Sequence, residues 1–277
     1  LHGKIANLPA HHVEVCVSTE GPGQLSVTGT VDEIMLFGPC LRLVSTLETE
    51  AGSNSFQIRD EVINLAGQPV ELELLYHINL GRPFLEEGAV LVASAQEVAP
   101  RDTQAAEQIE TWNLYQKPTA GYREQVYLLA MCSDEQNQTR VLLKNSAGNL
   151  GVSLKYDTHQ LPCFALWKNT QAEADGYVTG LEPATNYPNF KSFEREQGRV
   201  VNLAPGESYR MEIEFALHAA TTEIATVEAD ILRLQKNTPM KIHQQPQAKF
   251  SEREYCVYLK MRGTRWTASG GSTLSDA

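Results

Sequence analysis

The stretch Val70-Glu71-Leu72-Glu73-Leu74-Leu75-Tyr76-His77-Ile78-Asn79-Leu80 decides the fold class. Val70, Leu72, Leu74, Tyr76, Ile78 and Leu80 occupy alternate positions, with Glu71, Glu73, Leu75, His77 and Asn79 between them. A period of two is that of a strand with one buried and one wet face. The pattern predicts one continuous half-buried strand over 70–80, with His77 and Asn79 sharing the wet face.

The same reading, carried outward, predicts strands over 12–19, 24–31, 40–48, 55–64, 125–133, 140–145, 151–156, 163–168, 177–182, 199–203 and 208–217. Turn-forming clusters separate them, among them Glu20-Gly21-Pro22-Gly23, Ala66-Gly67-Gln68-Pro69, Ser146-Ala147-Gly148-Asn149 and Ala204-Pro205-Gly206-Glu207. About a dozen strands with almost no helical periodicity predict an all-β fold, a large antiparallel sandwich. One segment departs from this. Ile224, Val227, Ile231 and Leu234 recur at helical spacing, so 221–236 is expected to be a helix capped by Thr221 or Thr222. The expected organisation is a sandwich domain over 1–218, a helix within 219–240 packing on or following it, and a C-terminal extension over 241–277. The small polar residues around Gly270-Gly271-Ser272 predict that this extension is partly flexible. The chain opens at Leu1 without a Met, inside what reads as a motif, so the expectation is a trimmed N-terminus or a fragment, either of which can leave N-terminal sandwich strands out.

Composition narrows the function. The chain has 277 residues, 42% hydrophobic and 21% charged, with a formal net charge of -11. That is enough apolar material for a large core. The negative charge opposes general nucleic-acid binding. The longest apolar runs, such as Val90 to Ala93, are far too short to span a bilayer. Five scattered cysteines with no C-x-x-C pair give no zinc or thioredoxin motif and predict a reducing, cytoplasmic location.

Three segments carry chemistry. In Leu1-His2-Gly3, the glycine lets backbone approach a ligand beside His2. In Tyr76-His77-Ile78-Asn79-Leu80-Gly81, His77 is a residue type that transfers protons near neutral pH, and Asn79 on the same face can hydrogen-bond a hydroxyl. In Gly180-Leu181-Glu182-Pro183-Ala184-Thr185, Pro183 holds Glu182 out of helical geometry at a strand end. Each motif taken alone is more often an ordinary surface or loop residue. Nearby, Leu166-Trp167-Lys168-Asn169 offers a ring for sugar C–H faces and a cation for an anionic substituent, against a core Trp167 and a solvated Lys168.

Together, and in this order, these segments resemble the aldose 1-epimerase (galactose mutarotase-like) superfamily. More narrowly, they resemble an aldose-epimerase-like branch labelled as a domain of unknown function, from Leu1 to about Leu217. The resemblance implies a galactose-mutarotase-like sandwich and a small-molecule sugar as substrate, with no metal and no organic cofactor. It implies that His2 contacts the sugar, that His77 protonates the ring oxygen and that Glu182 is the base at the anomeric hydroxyl. The superfamily's substrate-binding arginine precedes its Leu-His-Gly motif, where this sequence has none, so either that arginine was lost with the N-terminus or Arg59 or Arg101 replaces it. Asp102 and Asp175 are candidates for its substrate-contacting aspartate. The expected activity is interconversion of sugar anomers by acid/base ring opening. Non-catalytic carbohydrate binding or sensing on the same fold is the alternative, and another carbohydrate enzyme such as a lyase is a third.

Overall fold

A computed structural model describes residues 3–18, 21, 23–235 and 239–252. Among them are sixteen strands. These are β1 (His12–Val17), β2 (Gln24–Ile34), β3 (Cys40–Glu50), β4 (Ser55–Asn64), β5 (Val70–Leu72), β6 (Ile78–Leu80), β7 (Val90–Ala93) and β8 (Ala95–Pro100). Then follow β9 (Gln125–Met131), β10 (Gln138–Lys144), β11 (Gly151–Asp157), β12 (Cys163–Thr170), β13 (Tyr177–Ala184), β14 (Val201–Leu203), β15 (Ser208–His218) and β16 (Lys241–Ile242). The α-helices are α1 (Thr103–Ala106), α2 (Lys191–Glu196) and α3 (Thr221–Leu234).

The strands form an eight-stranded sheet in the order β1-β2-β3-β4-β15-β11-β10-β7 and a six-stranded sheet in the order β16-β8-β9-β12-β13-β6. A small β14-β5 ladder stands apart. Every pairing is antiparallel except β16 on β8. The inward faces of the two large sheets share one core, in which Tyr127, Leu129, Leu143, Leu154, Phe164 and Met211 are fully buried. This is the large antiparallel sandwich that alternation predicts.

The 70–80 stretch keeps its alternation but not its continuity. Leu72, Leu74, Tyr76, Ile78 and Leu80 all belong to the shared core, as the period of two requires. The ladder, however, changes partner. β5 pairs with β14, whereas residues 74–80 run beside β13. The break falls where Tyr76 donates to the Pro183 carbonyl at 3.1 Å. The return hydrogen bond of that pair needs an N–H that proline lacks. Pro183 thus interrupts the strand and leaves 73–77 extended but only partly laddered.

Three strands escape the pattern reading: the two-residue β16, and β7 and β8. In β7, Leu91, Val92 and Ala93 are all buried, so no wet face marks it as strand. In α3 the predicted face is the buried one: Ile224, Val227 and Ile231 pack on Val92 and Leu142, on the outer side of the eight-stranded sheet. Its cap differs from expectation. The N-cap residue is Ala220, without a side-chain cap, and Glu223 instead accepts from the Ala219 N–H at 3.2 Å.

The first part of the extension is built into the fold. β16 adds to β8, and Phe250 packs edge-on against Tyr187, with ring centroids 5.3 Å apart. His2 and the Gly270-Gly271-Ser272 segment lie outside the described residues. Among the described residues no helix is long and apolar enough to cross a membrane.

Candidate functional site

Register builds the site. Leu75 faces Ala184 and Ile78 faces Leu181, so the intervening step sets His77 opposite Glu182. Tyr76 N–H to Pro183 O and Thr185 N–H to Leu74 O mark the even-numbered residues as the hydrogen-bonded pairs. His77 and Glu182 therefore form a non-hydrogen-bonded pair, the kind in which Cα atoms and side chains come closest. His77 Nε2 lies 3.1 Å from Glu182 Oε1. The histidine side chain is 30% exposed and the glutamate 6%, so one partner faces solvent and the other is sealed.

The floor around them is small and apolar. On the outer face of the six-stranded sheet, one cross-strand row holds Ala99, Leu128, Ala165, Glu182 and His77. The next row holds Arg101, Val126, Trp167, Gly180 and Asn79. Ala99, Val126, Leu128 and Ala165 join an apolar patch against which Trp167 packs. The Trp167 ring lies 5.4 Å from the His77 ring, tilted by 60°. Its Nε1 donates to Glu124 at 2.7 Å, and Arg101 Nη2 donates to the other Glu124 oxygen at 3.1 Å. Burial pushes the Glu182 carboxyl up to about 8. The Arg101 charge opposes that rise, and Glu124 adds to it.

Gly180 keeps this arrangement open. A Cβ there would stand 2.5 Å from Glu182 Oε1 and 3.3 Å from His77 Cε1. Gly180→Ala is therefore expected to push the carboxylate aside. A misplacement of that size costs about 10²-fold in a reaction that needs both groups aligned. Side-by-side rate measurements and thermal melts on the variant check this: the rate should fall while the melting temperature moves little.

The structure brings His77, Asn79, Trp167 and Glu182 onto one face. Two residues expected at a sugar site stand elsewhere. Arg59 is on the eight-stranded sheet, paired with Glu48, with Glu212 at 3.5 Å and with Gln57 at 2.7 Å. Its guanidinium is occupied by neighbours on its own sheet. Lys168 faces the core because successive strand residues point to opposite sides, and Trp167 takes the site side. Its Nζ donates to the Leu114 and Thr111 carbonyls at 2.8 and 3.1 Å and sits 5.2 Å from the Tyr115 ring centre. Burial lowers its pKa to about 7. It is neither solvated nor placed to meet an anionic substituent. Arg101, one of the two arginine candidates, does reach the site, and Glu124 is a member that the motif reading passed over. Among the described residues no group of three or more His, Cys, Asp or Glu could hold a metal ion.

The model of a family described as a domain of unknown function, DUF4432, matches residues 1–217. The chain belongs to that family. This DUF4432 protein superposes with a TM-score of 0.87 on a crystal structure from Klebsiella pneumoniae provisionally named an aldose 1-epimerase. The two are 37% identical over 89% of this chain, which spans 64% of the length of that relative. A galactose mutarotase-like protein from Clostridium acetobutylicum gives a TM-score of 0.59 at 16% identity, covering 79% of this chain and 69% of its own. An Escherichia coli K12 protein, also provisionally an aldose 1-epimerase, gives 0.51 at 14% identity, over 74% and 69%. At those identities the likeness is one of fold, and the fold of this DUF4432 protein is galactose mutarotase-like. None of the curated proteins matches the chain.

Proposed function

We propose that this DUF4432 protein interconverts the anomers of a free sugar by acid/base ring opening, with Glu182 as base and His77 as acid. The observation that carries this reading is the 3.1 Å contact between a half-open imidazole and a sealed carboxyl on adjacent chain segments. A sugar whose anomeric carbon enters there would replace that contact with two hydrogen bonds, its C1 hydroxyl meeting Glu182 and its ring oxygen meeting His77. Glu182 removes the hydroxyl proton while His77 protonates the ring oxygen. The bond from C1 to the ring oxygen breaks, leaving an open-chain aldehyde. Rotation about C1–C2 and reclosure with the protons returned give the other anomer. A base tuned towards 8 is stronger than an ordinary carboxylate and still ionises near neutral pH. Trp167 offers an indole face to the sugar's C–H surface, and Asn79 an amide to a hydroxyl. The same constellation without turnover would serve a sugar-binding protein, the alternative role.

Freshly dissolved α-anomers of several aldoses, followed by polarimetry with and without protein, test the proposal. Faster relaxation with at least one sugar is expected, and His77→Asn should lower that acceleration by about 10²–10⁴-fold. Sugar binding with no acceleration by the wild type would leave only the binding role.

A further inference from the structure

We propose that Arg101 is a positioning residue of this site, clamping Glu124 and through it the Trp167 indole beside His77. The inference rests on reading Glu182 as the base.

Arg101 follows β8 directly, and its N–H donates to the Val126 carbonyl at 2.9 Å. That hydrogen bond places it in the row of Val126, Trp167, Gly180 and Asn79. Strands β9 and β12 separate it from β13, a span of about 14 Å at the usual strand spacing. The floor residues between, Val126, Leu128 and Ala165, are apolar and buried, so little water screens the guanidinium charge from Glu182. The arginine is heavily constrained for a group at a site: its side chain is only 7% exposed. Nε donates to Asp102 at 3.2 Å and Nη2 to Glu124 at 3.1 Å. Asp102 is in turn fixed as the N-cap of α1, accepting from the Ala105 N–H at 2.9 Å. Glu124 uses its second oxygen on Trp167. A chain of fixed contacts thus runs from the α1 cap through Arg101 and Glu124 to the indole beside His77.

Among the described residues, the charged and titratable groups set against Glu182 are His77 from the 73–77 segment, Arg101 after β8 and Glu124 before β9. The strand between, β12, contributes Ala165 and Trp167, which carry no charge. Of these groups, Arg101 lowers the Glu182 pKa and Glu124 raises it. Opposite shifts from two removable partners give a signature that a merely structural arginine would not produce.

The experiment is a carboxyl-carbon NMR titration of Glu182 in the full chain, in wild type, Arg101→Met, Arg101→Lys and Glu124→Gln. Arg101→Met is expected to move the Glu182 midpoint up by about one pH unit, and Arg101→Lys to return it most of the way. Glu124→Gln, whose side chain is half exposed and tolerant of change, is expected to move it down. The Trp167 indole N–H resonance should shift in Arg101→Met and Glu124→Gln. A Glu182 midpoint unmoved in Glu124→Gln and in whichever Arg101 variant folds would overturn the proposal. Because the titration needs no turnover, an inactive wild type with these shifts would refute the base assignment and leave the clamp standing.

Discussion

Glu182→Gln is expected to abolish nearly all anomer interconversion, by about 10²–10⁴-fold, and at the same time to make the protein more resistant to unfolding above neutral pH. Both effects come from the same burial. The ordinary carboxyl value near 4.5 is pushed up to about 8 because the ionised form is poorly solvated behind His77 and the apolar floor. The folded protein then holds this proton more tightly than the unfolded chain does. The resulting stability is fully present below about pH 4.5 and is lost as pH rises through about 8. Glutamine has no proton to lose and escapes that decline. The stability gap in favour of the variant should widen across this window, to on the order of 5 kcal/mol at most. Urea unfolding at both ends of the window, paired with polarimetry, measures the two effects. A gap independent of pH would mean that the carboxyl titrates normally.

The second large effect is expected at Arg199→Met, which should destabilise the fold by about 3–5 kcal/mol. Glu194 of α2 is fully buried, and Arg199 holds it with two parallel hydrogen bonds of 2.5 and 2.7 Å. The guanidinium also stacks over Tyr187, 5.2 Å from its ring centre, and donates to the Lys249 carbonyl at 2.9 Å. Removing the arginine strands a carboxylate away from water, and among the described residues only the Asn189 amide, at 2.6 Å, is left to meet it. The double variant Arg199→Met with Glu194→Leu removes both charges and should recover most of the loss. Denaturant midpoints of the two proteins decide this: a double variant no better than the single one would show that packing, not the stranded charge, sets the cost. Weaker docking of residues 239–252, which approach the same arginine, should accompany the single change.

Much of the architecture was readable from residue alternation, and where it was not the reason is burial. β4 is found over the predicted residues, and most other predicted strands differ by a few residues at their ends. β7 was silent because both of its faces are covered, and a run such as Val90-Leu91-Val92-Ala93 looks the same in a strand as in a short helix; in β8 a register shift between Ala95 and Glu97 breaks the alternation. The interruption at residues 73–77 was hidden for another reason. It depends on Pro183, a hundred residues away, and only the pairing shows that the missing N–H falls opposite Tyr76. The site was legible in the same partial way. His77 and Glu182 could be singled out by type, but their adjacency is a fact of register. Lys168 was misplaced although the rule that corrects it is local: with Trp167 on the site face, its chain neighbour must point inward. Arg101 and Glu124 carry no motif, and they meet Trp167 only because three strands bring them together.

The match to the family model stops at residue 217, but the water-excluding surface does not. Ile224, Val227 and Ile231 close one outer flank of the sandwich, and Phe250 closes part of the opposite flank. A fragment cut at the family boundary would therefore bare two separate greasy areas, one on each layer, and would be prone to stick to itself. Expression of the family-matched stretch should retain residues 218–252 as well.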